Sequence, residues 1–205
     1  NMSIINMADL SPNQVYGAMI QTIIPRPIAW VLSDNGNNSH NLAPFSYFNG
    51  VAGDPPLISI SIGQKQKGVK KDTWVNIEER SNFVINIASP ALAESVTASA
   101  ASLPFGESEI DAGNIKTTSV ENWPLPRVQD CNLAFYCTKH QIIEIGNAPQ
   151  GLVIGEIKEI YVRDDLLQEK DGRMFIDPKQ VDPLGRLGGI SYGTLGEAFA
   201  VKRPK

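Results

Sequence analysis

"LISISI", residues 57–62, places isoleucine at 58, 60 and 62 and serine at 59 and 61. Side chains two apart share one face of a strand, so this run is a strand with one apolar and one hydroxyl-bearing face. Working outward, 28–33, 44–49 and 83–88 read as further strands, and 133–145 and 152–162 as two longer ones. The cluster Asp34-Asn35-Gly36-Asn37-Asn38 turns the first strand back on the next, and Asp171-Gly172 marks another hairpin. Helices only punctuate this pattern. Ser11-Pro12 and Ser89-Pro90 each read as an N-cap followed by proline at the first helical position, which predicts helices near 12–20 and 90–101. A short helix over 73–80 is expected to be capped by Asp72 or Thr73. Many short strands and few helices predict a mainly β chain that closes, fully or in part, into a barrel rather than a doubly wound sheet.

The 205 residues, 42% hydrophobic and 20% charged, supply core enough for one domain spanning 1–205. Eighteen basic against 22 acidic residues leave a net charge of −4, so no overall field recruits nucleic acid or an anionic membrane. Any anionic ligand needs a local pocket. No apolar run reaches membrane-spanning length and the first residues lack signal-peptide order, so a soluble cytoplasmic protein is expected. Cys131 and Cys137 read as lying on one strand, roughly 20 Å apart, too far to pair. With only His40 and His140 beside them, they make no metal motif and are read as buried thiols. The glycine-rich "GRLGGISYG" (185–193) has no preceding strand pattern and fails as a dinucleotide fingerprint. No P-loop, GxSxG or HExxH is present, and no catalytic residue is assigned.

Four stretches carry the chemistry that remains. In "IIPRPIAWV" (23–31), Pro25 and Pro27 stiffen the backbone around Arg26 on its way into a strand. "NLAPFSYF" (41–48) sets Asn41 and Ser46 around aromatic residues. "SISIG" (59–63) offers Ser61 on the polar face of its strand. "KKDTW" (70–74) places Lys71, Asp72 and Thr73 at a helix start, where free backbone N–H groups favour a phosphate. Each piece also has a bland reading: a solvent face, a helix cap, a solvated charge pair.

Taken in order they form a joint pattern. Pro25-Arg26-Pro27-Ile28-Ala29-Trp30-Val31, then Asn41-Leu42-Ala43-Pro44-Phe45-Ser46-Tyr47-Phe48, then Pro55-Pro56 leading to Ser61-Ile62, then Lys71-Asp72-Thr73-Trp74-Val75-Asn76-Ile77, resembles the flavin reductase-like, FMN-binding split-barrel family, in its flavoredoxin-type branch. The likeness continues through "FVINI" (83–87) to the "RLGGISY" tail (186–192).

The resemblance implies a Greek-key split β-barrel that binds FMN and passes electrons from NADH, NADPH or a redox partner protein to an acceptor; the alternative is a non-catalytic flavin- or haem-binding module on the same fold. It also implies a homodimer with flavin near the interface, to which the tail with Arg186 and Tyr192 contributes. Under it, Arg26, Lys71 and Thr73 are candidates for the phosphate, with Asp72 beside them. Ser46, Asn41 and Ser61 are candidates for the ribityl hydroxyls or phosphate oxygens. Backbone groups of Ala43 and Pro44, on a loop, would face the ring edge, and Trp30, Tyr47 or Phe48 would stack on the ring. Asn76 would reach back to the loop or merely sit on its helix.

Overall fold

The computed structural model describes residues 2–204. Seven strands form one antiparallel sheet: β1 (Ala29–Asp34), β2 (His40–Phe45), β3 (Phe48–Gly53), β4 (Pro56–Ile62), β5 (Asn82–Ile87), β6 (Leu133–Ile145) and β7 (Gln150–Val162). Their order across the sheet is β2-β1-β5-β6-β7-β4-β3. β2 and β3 are thus opposite edges, yet only Ser46 and Tyr47 separate them along the chain. Seven flat strands would span about 29 Å, while Phe45 and Phe48 can lie no more than about 11 Å apart. The sheet therefore curls until its edges approach, and the Ser61 amide, donating to the Tyr47 carbonyl at 2.9 Å, carries the β3–β4 ladder on into the two-residue link. This is a split β-barrel, the architecture expected.

Its two faces bury separate cores. Ala29 and Val31 join Ile58, Ile60, Ile62, Phe83, Ile85 and Val153 in the inner core, on the concave face, while Trp30 and Leu32 join Leu42, Val84, Val96, Trp123 and Leu125 in the outer core. That double burial explains why β1 reads as a continuous apolar run and β4 as an alternating one. Helix α1 (Pro12–Thr22) starts with a capping box in which Ser11 and Gln14 serve each other's backbone. Helix α2 (Asp72–Arg80) drives Trp74 and Ile77 into the inner core. Gly151 faces Trp74 so closely that a Cβ would sit 2.6 Å from the indole, so the bare backbone is what lets α2 seat there.

Several boundaries differ from expectation. The strand expected over 44–49 is two strands broken at Ser46–Tyr47, with Pro44 in an edge strand, where a missing N–H costs no ladder bond. Ala43 and Pro44 accordingly lie on β2 and not on a loop. The helix expected over 90–101 is a 3-10 turn, Pro90–Leu92, running into α3 (Ala93–Ala98), and Ser89 makes no side-chain cap. Neither Asp72 nor Thr73 caps α2: Lys71 is the N-cap residue, and both side chains are committed elsewhere. Cys131 precedes β6 instead of lying on it.

The turn at 34–38 does join β1 to β2, and Asp171-Gly172, both at positive φ, joins Leu167–Lys170 to Arg173–Ile176. The glycine-rich tail folds into a small hairpin, Gly185–Arg186 against Tyr192–Gly193, whose first strand pairs with Arg26–Pro27.

Candidate functional site

A cleft of about 650 Å³ opens where the curled sheet, α1, α3 and the tail hairpin meet. β2 and the link after it contribute Pro44, Ser46 and Tyr47, β4 contributes Ser61, and α1 contributes Tyr16 and Met19. Arg186 and Tyr192 line it from the hairpin, and Lys71 lines it too. Lys71, Pro44 and Ala100 also line an adjoining recess of about 60 Å³, walled by Asn41, Ala43, Asp72, Thr73, Lys65 and Glu109. The segments quoted from the sequence therefore converge, with the loop after α3 as a further wall.

Polar groups in the recess are held tightly. The Asn41 amide donates to the Thr73 hydroxyl at 2.9 Å. Lys65 pairs with Asp72 at 2.6 Å and donates to the Leu103 carbonyl. Glu109 accepts from the Leu42 amide, and burial pushes its carboxyl up from the ordinary carboxylate range despite that bond. Lys71 differs from all of these. Among the described residues no carboxylate or other acceptor meets its half-buried ammonium, which rests 5.6 Å over the Phe45 ring, and burial pulls its pKa below the usual lysine value. A cation kept from water without a partner is costly, and an anion entering the recess removes that cost.

Three expected ligand residues, Trp30, Arg26 and Phe48, do not line the cleft. Trp30 is fully buried in the outer core, its indole N–H donating to Ser99 at 2.8 Å, so it packs and does not stack on a ligand. Arg26 is 5% exposed. Its guanidinium donates to the carbonyls of Ile20 and Ile23 at 2.7 Å each, to Leu187 at 3.3 Å and to the Ser46 hydroxyl at 3.2 Å. It ties the end of α1, the tail and the link between β2 and β3 together. The stiff mounting noted in the sequence serves that tie. Phe48 packs against the inner core, and Asn76 reaches back to Ser33 and Asn35 beneath the turn.

Tyr47 does line the cleft, with its hydroxyl buried and unpartnered. Burial raises its pKa, Tyr16 adding to the effect and Arg26 opposing it. Sequence reading missed Tyr16, Met19, Gln150, Lys65 and Glu109. Tyr16 and Met19 were in view, since their three-residue spacing on a capped helix sets them on one face.

The cysteines lie in different cores, unpaired, Cys131 in the outer and Cys137 in the inner. Burial pushes the Cys131 thiol up to about 12 and raises Cys137 as well. Native protein treated with iodoacetamide at mildly alkaline pH is expected to stay unlabelled by mass spectrometry, whereas urea-unfolded chain is labelled at both. Labelling of the folded form at either thiol would contradict this placement. Among the described residues no cluster of His, Cys, Asp and Glu could hold a metal, and no helix is long and apolar enough to cross a membrane.

The sequence profile of the flavin reductase like domain matches residues 21–181. A protein of Halalkalibacterium halodurans is 34% identical over 204 residues, spanning 98% of this chain and 96% of its own. Among solved structures, nitrilotriacetate monooxygenase component B from Bacillus cereus is 34% identical and superposes with a TM-score of 0.89, covering 98% of this chain and 99% of that one. The Pseudomonas fluorescens 2-nitrobenzoate 2-nitroreductase NbaA is 32% identical with a TM-score of 0.87, covering 98% and 96%.

Proposed function

This chain belongs to the flavin reductase-like family, and from that premise we propose that it holds FMN in the cleft and passes electrons through it from reduced nicotinamide, or a protein donor, to an acceptor. The observation that carries this reading is the partnerless Lys71 ammonium at the junction of cleft and recess. It is the type of group a phosphate monoester needs, beside the α2 N-terminus and the Thr73 hydroxyl. The wider cleft offers Ser46 and Ser61 hydroxyls for a polyol and the Tyr47 and Tyr16 rings for a planar ring system. The residues present therefore suit FMN.

When bound, the flavin supplies the hydride-accepting centre, and the protein needs no acid or base triad of its own. What this chain contributes is placement. Lys71 and Thr73 hold the anionic end, the serines align the polyol, and α1 with the tail hairpin shields the ring from water. Asn41 acts through Thr73, fixing the hydroxyl's direction, and Arg26 acts through Ser46. The similarity to a monooxygenase component and a nitroreductase supports a redox role over the alternative of a non-catalytic flavin- or haem-binding module.

A homodimer belongs to the same proposal. α1 walls the cleft yet buries none of its residues, with Tyr16 59% exposed and Ile23 just beyond it 50% exposed. A second copy laid over α1 would cover them.

The test is an absorbance spectrum of purified protein before and after FMN, then anaerobically with NADH or NADPH. Retained flavin that bleaches on adding a nicotinamide is the expected result. Failure to retain FMN sinks the flavin reading, and retained flavin that neither nicotinamide bleaches leaves a protein-fed electron carrier or the non-catalytic alternative.

A further inference from the structure

Two arginines stand side by side at the tail end of the cleft with no counter-ion. Arg26 and Arg186 are cross-strand partners, and both donate to one carbonyl, that of Leu187, at 3.3 and 3.5 Å. Among the described residues neither forms a salt bridge. Two like charges held this close, one buried and one half-buried, repel unless an anion lies between or beside them.

Arg26 has spent four of its five N–H donors within the fold, Arg186 three. Its Nη1 donates to the Ser191 and Leu187 carbonyls and its Nη2 to the Gly189 carbonyl. The Nε–H and the second Nη2–H take no acceptor among the described residues. Two N–H donors on one guanidinium are thus left for an anion, the group to which a carboxylate binds by charge-assisted hydrogen bonds.

Arg186 is also locked in place. Its guanidinium lies 4.9 Å over the Tyr192 ring. The Thr97 hydroxyl donates to the Ala93 carbonyl, so the 2.8 Å contact between Thr97 and Tyr192 is donated by the tyrosine, which pins that ring to α3. Gly188 packs so tightly on α1 that a Cβ there would lie 2.6 Å from the Gln21 side chain. A fork held by three carbonyls, a ring and a wedged hairpin is a preorganised receptor.

Its neighbours in the cleft are aromatic. Tyr16 and Tyr47 lie with ring centroids 6.4 Å apart and planes tilted by 50°, and Tyr192 lines the same cleft. Lys71 lines the recess and Arg186 does not. Of the two cations that line the cleft, Lys71 therefore also belongs to the recess, whereas Arg186 belongs to the cleft alone.

We propose that Arg186, backed by Arg26, anchors the carboxylate of a planar aromatic ligand that shares the cleft with the flavin and lies among Tyr16, Tyr47 and Tyr192. The inference rests on the reading above in assigning the flavin phosphate to Lys71. Its test separates the two. Calorimetric titration of FMN-loaded protein compares benzoate with benzamide, which has the same shape and no charge, at matched ionic strength. Benzoate is expected to bind roughly tenfold tighter or better, the yield of one charge-assisted fork. Arg186→Gln is expected to bring the two to parity while keeping the wild-type ratio of FMN to riboflavin affinity.

Equal binding of benzoate and benzamide by wild-type protein overturns the proposal and needs no variant. Loss of the FMN-over-riboflavin preference in Arg186→Gln overturns it too, because the arginine pair would then hold the flavin phosphate. So does a raised KM for NADH in that variant with benzoate binding intact, which would make Arg186 a nicotinamide contact. If the protein takes no flavin at all, the flavin reading fails, and the same benzoate–benzamide comparison on the flavin-free chain still decides the anchor.

Discussion

Arg26→Ala is expected to lower the unfolding free energy by about 3 kcal/mol, measured by urea denaturation, the largest stability loss foreseen at the site. A buried acceptor stripped of its donor costs about 1–3 kcal/mol. Alanine at 26 strips the carbonyls of Ile20 and Ile23 together and leaves Leu187 only its long bond from Arg186. α1 is half exposed, so water can reach its carbonyls and the loss falls below the sum of two full penalties. The guanidinium's charge near the α1 C-terminus adds a favourable interaction with the helix dipole that alanine also forfeits. Arg26→Lys is expected to recover little, because one ammonium cannot reach donors spread over the geometry of a planar fork. FMN affinity should fall in both variants, as a consequence of freeing Ser46 and the tail. A stability within about 0.5 kcal/mol of wild type, the range of an unremarkable surface substitution, would show that the tie is dispensable.

The same arginine shows where sequence reading runs out. Two prolines around a lone cation are visible in a single line of text, and they correctly announce a fixed mounting. What the cation grips is not visible, because its partner Leu187 lies 161 residues away and becomes a neighbour only through the pairing of Arg26 with Arg186. Trp30 was misplaced for a related reason. Period-two logic assigns a strand residue to a face, but on a sheet covered on both sides neither face is open, and Trp30 is core on the side that α3 covers. By contrast, the alternation in 57–62 correctly sets Ser61 beside the cleft and Ile60 in the core, since one face of β4 is only half-buried. The α1 cap and the 34–38 turn were legible because their signals are local. Lys65 and Glu109 were not, since ion pairing and desolvation in the recess depend on the loop after α3, which has no periodicity to read.

Lys71→Met is expected to raise the FMN dissociation constant by roughly ten- to a hundredfold, the yield of about 1.5–3 kcal/mol for a charge-assisted bond, and to leave riboflavin binding where it was. Riboflavin lacks the phosphate, so this contrast isolates the ammonium from any general damage to the cleft. The pH dependence follows from burial. Lys71 titrates below the ordinary lysine range because desolvation disfavours its charge. FMN affinity is therefore full below the pKa of Lys71 and declines as pH rises through it, earlier than an exposed lysine would allow. The Met variant should show no such decline relative to riboflavin. Stability moves the other way. The unfolded chain keeps this proton to higher pH than the folded one, so the penalty of the desolvated charge is full below the folded pKa and is relieved as pH rises towards the unfolded value. In the absence of flavin, Lys71→Met should then match or exceed wild type in urea at neutral pH while binding FMN worse, the opposite pairing from Arg26→Ala. Fluorescence titrations with FMN and riboflavin across the alkaline range check the affinity half, and equal weakening of both flavins would remove Lys71 from the phosphate.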